Sequence, residues 1–375
     1  DRERRDRTWR LASPQTAVVV FLAFAVYRVA TPVLALSVGS PRLPQWDMAK
    51  YGVSGLRLAR ALQDIDPLAF LHHLNGLDVW PPLFPLLEVP VFLLAGPGYS
   101  SARGLVAVLF AATIVAAFWS GLQSHGRIGL AVGGLTATLV ATSPMARIFA
   151  TIVMLEIPGI LLLLVAISFY LRSLSTGHPR DFTLACVAAT ALFFCKYNYG
   201  LIWILPMVAN EVLRAHGPSD LQPAESWKRL AATLRRPWPA VLGIGLLIAA
   251  VIQTSGPWRF AIGGREVSVS SAGPMLYVLY ILTLIRWLLR PRHNLQMANQ
   301  MFGHLDSRLR SMLVVMGVPI ALWMVVPAHT INFVDFLVNR STGPPILSLE
   351  SLLSYPRIFV NEFTPSPVVG TVVLV

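Results

Sequence analysis

Three ionisable residues stand where an otherwise apolar chain has little obvious use for them. Asp47 sits between a tryptophan and a methionine in "QWDMAKYG", Glu156 closes the polar stretch of "SPMARIFATIVMLEIPG", and Lys196 follows an apolar run in "FFCKYNYG". Ionisable groups at membrane depth are costly and mark sites more often than accidents. A carboxylate at the boundary between water and lipid can take the proton of a hydroxyl nucleophile. A lysine at headgroup depth can neutralise a phosphate leaving group, and Tyr197 and Tyr199 flank Lys196 at the depth such aromatics prefer. Each of the three also has a plainer use. Asp47 can be a solvated loop acid, Glu156 a first-turn acid facing a helix dipole, and Lys196 an anchor reaching for the headgroups.

Other polar residues accompany them. Asp78 and Trp80 precede a Pro-Pro pair, Arg147 lies in the same stretch as Glu156, and His329 and Arg340 follow a late apolar run. Trp80 can equally be an interfacial belt aromatic, and most residues of a long loop such as that of His329 and Arg340 are solvated. Lys50 reads as a solvated or snorkelling lysine, and Arg28, inside the first apolar run, as a packing residue.

The elements that must position these groups are membrane helices. Of 375 residues, 55% are hydrophobic and 13% charged, about half the charge of a soluble domain. The net charge of +12 belongs to cytoplasmic loops, since no basic patch interleaved with aromatics speaks for a nucleic-acid partner. The apolar runs are Ala17–Val38, Gly104–Leu122, Ile128–Ser143, Ile157–Leu171, Phe182–Cys195, Leu201–Leu213, Trp238–Ile252, Pro274–Leu289 and Ser311–Val326, with another starting near Val368. The last is cut short, so the chain is expected to be a piece of a longer protein. Cys186 and Cys195 point to different faces of one helix and are expected to pack, not pair.

Charge assigns the sides. Pro82–Ala95 is apolar but short, and holds Glu88 and three prolines, which suits an interfacial or re-entrant helix. With that segment not crossing and the N-terminus cytoplasmic, most of the 30 Lys and Arg fall in cytoplasmic pieces. Residues 39–103 then form one long outer loop. The expected fold is all-α, a polytopic transmembrane bundle with interfacial helices in that first loop, forming a single domain over 1–375. Asp47, Asp78, Trp80, Arg147, Glu156, Lys196, Tyr197, His329 and Arg340 all collect at the outer face.

The order of these motifs resembles the integral-membrane GT-C glycosyltransferases, in the branch of aminoarabinose transferases and protein mannosyltransferases. The resemblance runs through residues 1–215: one span, an acid in the first outer loop (Asp47), a Pro-Pro-Leu stretch ("VWPPLFPLL"), a second-loop acid (Glu156) and a lysine-aromatic motif ("CKYNYG"). Residues 216–375 show only a helix pattern. The resemblance implies a polyprenyl-phosphate sugar donor, inversion at the anomeric carbon, Asp47 as catalytic base and Lys196 as ligand of the donor phosphate. It leaves open whether a divalent cation is used, with Asp47 and Glu156 its holders if so, and whether the acceptor is lipid, glycan or protein. Met48 follows Asp47 where many relatives have a second acid, and Trp80 stands where many have histidine or lysine before the prolines. The implied location is a bacterial inner membrane, multi-pass among membrane lipids. The alternative is a lipid or polysaccharide transporter or flippase without transferase activity, which should carry polar residues along a path through several spans.

Overall fold

The computed structural model describes residues 14–39, 47–77, 81–124, 128–220, 258–262, 265–269 and 307–326, with short pieces elsewhere. Asp78, Trp80 and Arg340 lie outside the described residues, as do most of the expected span Pro274–Leu289 and about half of Trp238–Ile252. The chain divides into two compact units, Asp1–Leu201 with Thr342–Val375, and Ile202–Ser341.

The first unit is helical. Helix α1 covers Pro14–Gly39, α2 Asp47–Gln63, α3 Pro67–Asn75, α4 Leu83–Ala95 and α5 Tyr99–Ser124. Then come α6 Gly129–Thr142, α7 Pro144–Ala150, α8 Glu156–Thr176 and α9 Pro179–Cys195; α10, Tyr197–Asp220, leads into the second unit.

Local chemistry explains where these helices begin and stop. Asp66 accepts from the Ala69 amide at 2.8 Å ahead of Pro67, an N-cap followed by a proline whose missing N–H costs nothing there. Ser143 caps α7 in the same way, accepting from Ala146 at 3.3 Å, and Pro144 denies α6 a continuous ladder. The two helices therefore meet at a bend of 62°. Gly177, at φ 70°, ends α8 in the left-handed conformation only glycine adopts cheaply. Across the turn that follows, Arg172 pairs with the buried Asp181 at 3.1 Å, and Thr176 donates to the same carboxylate. This hairpin makes α8 and α9 antiparallel, so the start of one must meet the end of the other.

The core of this unit is a contiguous apolar cluster holding Leu58 of α2, Phe84 and Phe92 of α4, Phe110 and Ile114 of α5, and Leu155 and Ile157 at the head of α8. Helix α1 joins it through Val33, and Ser37 reaches from α1 to the Ala150 carbonyl that ends α7. Both cysteines are buried and free, as their spacing led us to expect.

Among the described residues, three helical stretches are long and apolar enough to cross a membrane: Tyr99–Gln123, Glu156–Thr176 and Ser307–Met324. Counting the bent pair α6–α7 as one span makes four. This is a membrane-type helical fold, with fewer demonstrated spans than the nine apolar runs of the sequence. Helix α4 has 13 residues, about 20 Å at 1.5 Å each, too short for a hydrocarbon core of about 30 Å.

The second unit holds the rest of α10, an antiparallel β-hairpin pairing β1 (Trp258–Ile262) with β2 (Arg265–Val269), and the helices α11 (Ser307–Met312) and α12 (Val318–Met324) joined by a π-helical turn. The hairpin falls in a stretch read from sequence as loop between spans. Arg308 grips the carboxylate of Glu211 with two bonds, Nε to Oε2 at 2.8 Å and Nη2 to Oε1 at 3.1 Å. Glu211 is only 2% exposed, so the pair ties α10 to α11 in a poorly solvated place. Arg308→Ala strands a buried carboxylate, and a loss of about 3–5 kcal/mol is expected. Thermal unfolding in detergent should show it, and the Arg308→Met, Glu211→Met double variant should recover most of it. Equal midpoints for wild type and Arg308→Ala contradict this reading.

Candidate functional site

The head of α8 and the tail of α9 carry the most concentrated chemistry in the first unit. Lys196 is the single extended residue, φ −154° and ψ 115°, between α9 and α10, and this break frees its side chain from both helical faces. Its ammonium donates to Glu156 Oε1 at 2.8 Å, with both side chains 14% exposed. Sequence reasoning put the two at one face; the structure puts them in one ion pair, which the antiparallel α8–α9 hairpin makes possible across 40 residues of chain.

The tyrosines beside Lys196 divide. Tyr199 lies under the ammonium, 4.7 Å from Nζ to the ring centroid, a cation–π contact strengthened by the loss of water. The ring has room because residue 159 is glycine, since a Cβ there would collide with it. Tyr197, expected at headgroup depth, is instead buried against Phe193 with ring centroids 5.0 Å apart. The first residue of α10 turns inward along the path of α9, so packing claims it. Of the two tyrosines expected to flank the lysine, only Tyr199 lies against its ammonium.

Asp47 is the first residue of α2 and is exposed. One turn on, Tyr51 is buried and meets Phe84 edge-on at 6.1 Å. Burial, and then the nearby charges of Asp47, Glu156 and the Cys195 thiol, push the Tyr51 phenol well above its ordinary range. The phenol therefore stays protonated, and its surroundings register α2, the head of α8 and the tail of α9 together. Sequence reasoning passed over Tyr51, although its position four residues after Asp47 puts both on one helical face. Glu156 Oε2 is buried and has no hydrogen-bond partner among the described residues, so one acceptor remains beside the ion pair.

Arg147 is exposed on the short helix α7. His329, in the second unit, is buried and stacks on Trp323 at 3.6 Å between centroids, with its Nδ1 3.0 Å from the Trp323 carbonyl. This is the geometry of a packed histidine. Among the described residues no three His, Cys, Asp or Glu side chains group as a metal would require, and Glu156 already commits one oxygen to Lys196.

A second unexpected group is Glu88 on α4, fully buried, with neither carboxylate oxygen partnered among the described residues. It faces Gly55 of α2, where any Cβ would clash with the carboxylate. Burial pushes its pKa up to about 8, so a neutral acid sits between α2 and α4 at physiological pH. The sequence signal was present: an acid in the middle of "FPLLEVPVFLL" has no polar neighbour to satisfy it.

No family model, curated protein or solved structure matched the chain when it was compared with each.

Proposed function

We propose that the chain is a membrane glycosyltransferase of the GT-C type, moving a sugar with inversion from a polyprenyl-phosphate donor to an acceptor hydroxyl at the outer face of a bacterial inner membrane. The observation that carries this reading is the Lys196–Glu156 ion pair, a cation and a carboxylate brought together across 40 residues of chain; the charges of Glu156 and of the exposed Asp47 are both felt at the buried Tyr51 phenol. The chemistry needs a base that water and an acceptor can reach, and Asp47 is exposed. It needs a cation for the departing phosphate, and the Lys196 ammonium is a cation at this site. It also needs an apolar bed for the polyprenyl tail, which lipid-facing helices supply.

In this mechanism Asp47 accepts the proton as the acceptor oxygen attacks the anomeric carbon. The bond from that carbon to the phosphate oxygen breaks on the opposite side, and the phosphate leaves as an anion held by Lys196. Glu156 keeps the ammonium charged and oriented, and its free oxygen can accept from a sugar hydroxyl. Tyr51, protonated, is a further hydroxyl donor close enough to feel both carboxylate charges.

The test is Asp47→Asn, which keeps size and removes basicity. Turnover of a polyprenyl-phosphate sugar should fall by roughly 10²-fold or more, with insertion and helix content unchanged. Turnover within threefold of wild type removes Asp47 as the base.

A further inference from the structure

Beside this cluster, and sharing Tyr51 with it, lies a groove whose two cations the transfer chemistry does not use. It has a volume of about 340 Å³ and is lined by Ala49, Lys50, Tyr51, Val53, Ser54, Arg57, Gly76, Leu77 and Pro85. Its lining holds two cations and no acid. Lys50, Ser54 and Arg57 follow at i, i+4 and i+7, the spacing of one helical stripe. Their backbones span about 10 Å along the axis, a distance over which a lysine and an arginine can both lean to a point between them. Arg57 is exposed and forms no ion pair among the described residues; the neighbouring Arg60 is the one that pairs with Asp64. The Ser54 hydroxyl donates to the Lys50 carbonyl at 2.8 Å, which keeps that side chain folded against the helix and the space above it open.

The rest of the wall is apolar: Val53 from α2, Leu77 after α3 and Pro85 from α4. Further along α2 and the turn into α3, Leu56, Leu62, Ile65 and Leu68 are exposed, interspersed with the exposed Arg60 and Asp64, the mixed surface of an interfacial element. A two-cation stripe over an apolar wall matches one kind of molecule. We propose that this groove binds a phosphorylated amphiphile, its phosphate between Lys50 and Arg57 and its apolar chain along Val53, Leu77 and Pro85. Arginine favours phosphate because its planar donors can grip two oxygens at once. The inference goes beyond the transferase reading and does not need it, since its test reads binding without turnover.

The full chain in neutral detergent is offered phosphatidate, diacylglycerol with the same chains, and inorganic phosphate, and retained lipid is counted by native mass spectrometry. Phosphatidate should be retained at least about tenfold better than diacylglycerol, and millimolar inorganic phosphate should not displace it. Arg57→Gln and Lys50→Gln should each lower retention by about tenfold, the scale of a lost charge-assisted contact, while Arg57→Lys keeps part of it. Ser54→Trp, which fills the groove without touching either charge, should abolish retention. Helix content is checked for each variant. The proposal is overturned if diacylglycerol is held as well as phosphatidate, if inorganic phosphate competes freely, or if the Gln and Trp variants retain lipid like wild type.

Discussion

Lys196→Gln is expected to weaken the fold and the donor site together, and a second substitution separates the two effects. The ammonium is the hydrogen-bonded partner of Glu156 Oε1 at 2.8 Å, and the other Glu156 oxygen already lacks a partner among the described residues. Removing the charge leaves a mostly buried carboxylate alone, a loss of about 3 kcal/mol by the behaviour of broken buried pairs. Adding Glu156→Gln removes the stranded charge and should return the thermal midpoint most of the way to wild type. Donor binding should not return, because a neutral amide pair offers the phosphate no cation. The expected double variant is therefore stable, with an apparent donor KM raised at least about tenfold, as for a lost charge-assisted contact. If the double variant recovers both stability and donor KM, Lys196 is an anchor for the helix end and the phosphate is held elsewhere.

Glu88→Gln should change how stability depends on pH more than any other single substitution in the first unit. In the folded chain the carboxyl keeps its proton up to about pH 8, whereas an exposed glutamate loses it near 4.5. Below the lower value both states are protonated and burial carries no charge penalty. Between the two values the unfolded chain binds fewer protons than the folded one, so stability falls as pH rises. Above about pH 8 both states are ionised and the full cost is felt, on the order of 4 kcal/mol. Glutamine has the same shape and no titration. Wild type and variant should therefore unfold at similar temperatures at pH 5, with the variant clearly the more stable at pH 9. Thermal scans at one heating rate across that range give the comparison. Parallel curves for the two proteins rule out a buried neutral Glu88. A supporting change is Gly55→Ala, which should destabilise at every pH because its methyl group meets the carboxylate.

Much of the architecture was legible in the residues because membrane helices write themselves in composition. Long apolar runs are a local signal, and α5, α6 and α8 lie close to where the runs Gly104–Leu122, Ile128–Ser143 and Ile157–Leu171 put them, whereas α7 and the bend before it were not foreseen. The shortness of the segment around Glu88 was legible for the same reason: a run of that length cannot reach across a bilayer. The prominence of Asp47, Glu156 and Lys196 was legible too, since each is a charge with few polar neighbours.

What the chain by itself could not decide was who meets whom. Lys196 could have been an anchor, a phosphate ligand or an ion-pair partner. Only the antiparallel docking of α8 on α9 made it the partner of Glu156 and chose Tyr199 over Tyr197 to lie beneath it. Tyr51 looks ordinary in "KYGVSG", and its role as the point where Asp47, Glu156 and Cys195 are felt together appears only once it is buried in the core that also holds Leu155 and Ile157. Glu88 shows the same limit from the other side. A sequence can show that an acid lies in a greasy helix, but whether it is solvated depends on a glycine on another helix 33 residues earlier. Helices are set by interactions within a few residues, which composition and spacing record. The pairing of charges and the exclusion of water are set by contacts across the fold, and those exist only when the helices are packed.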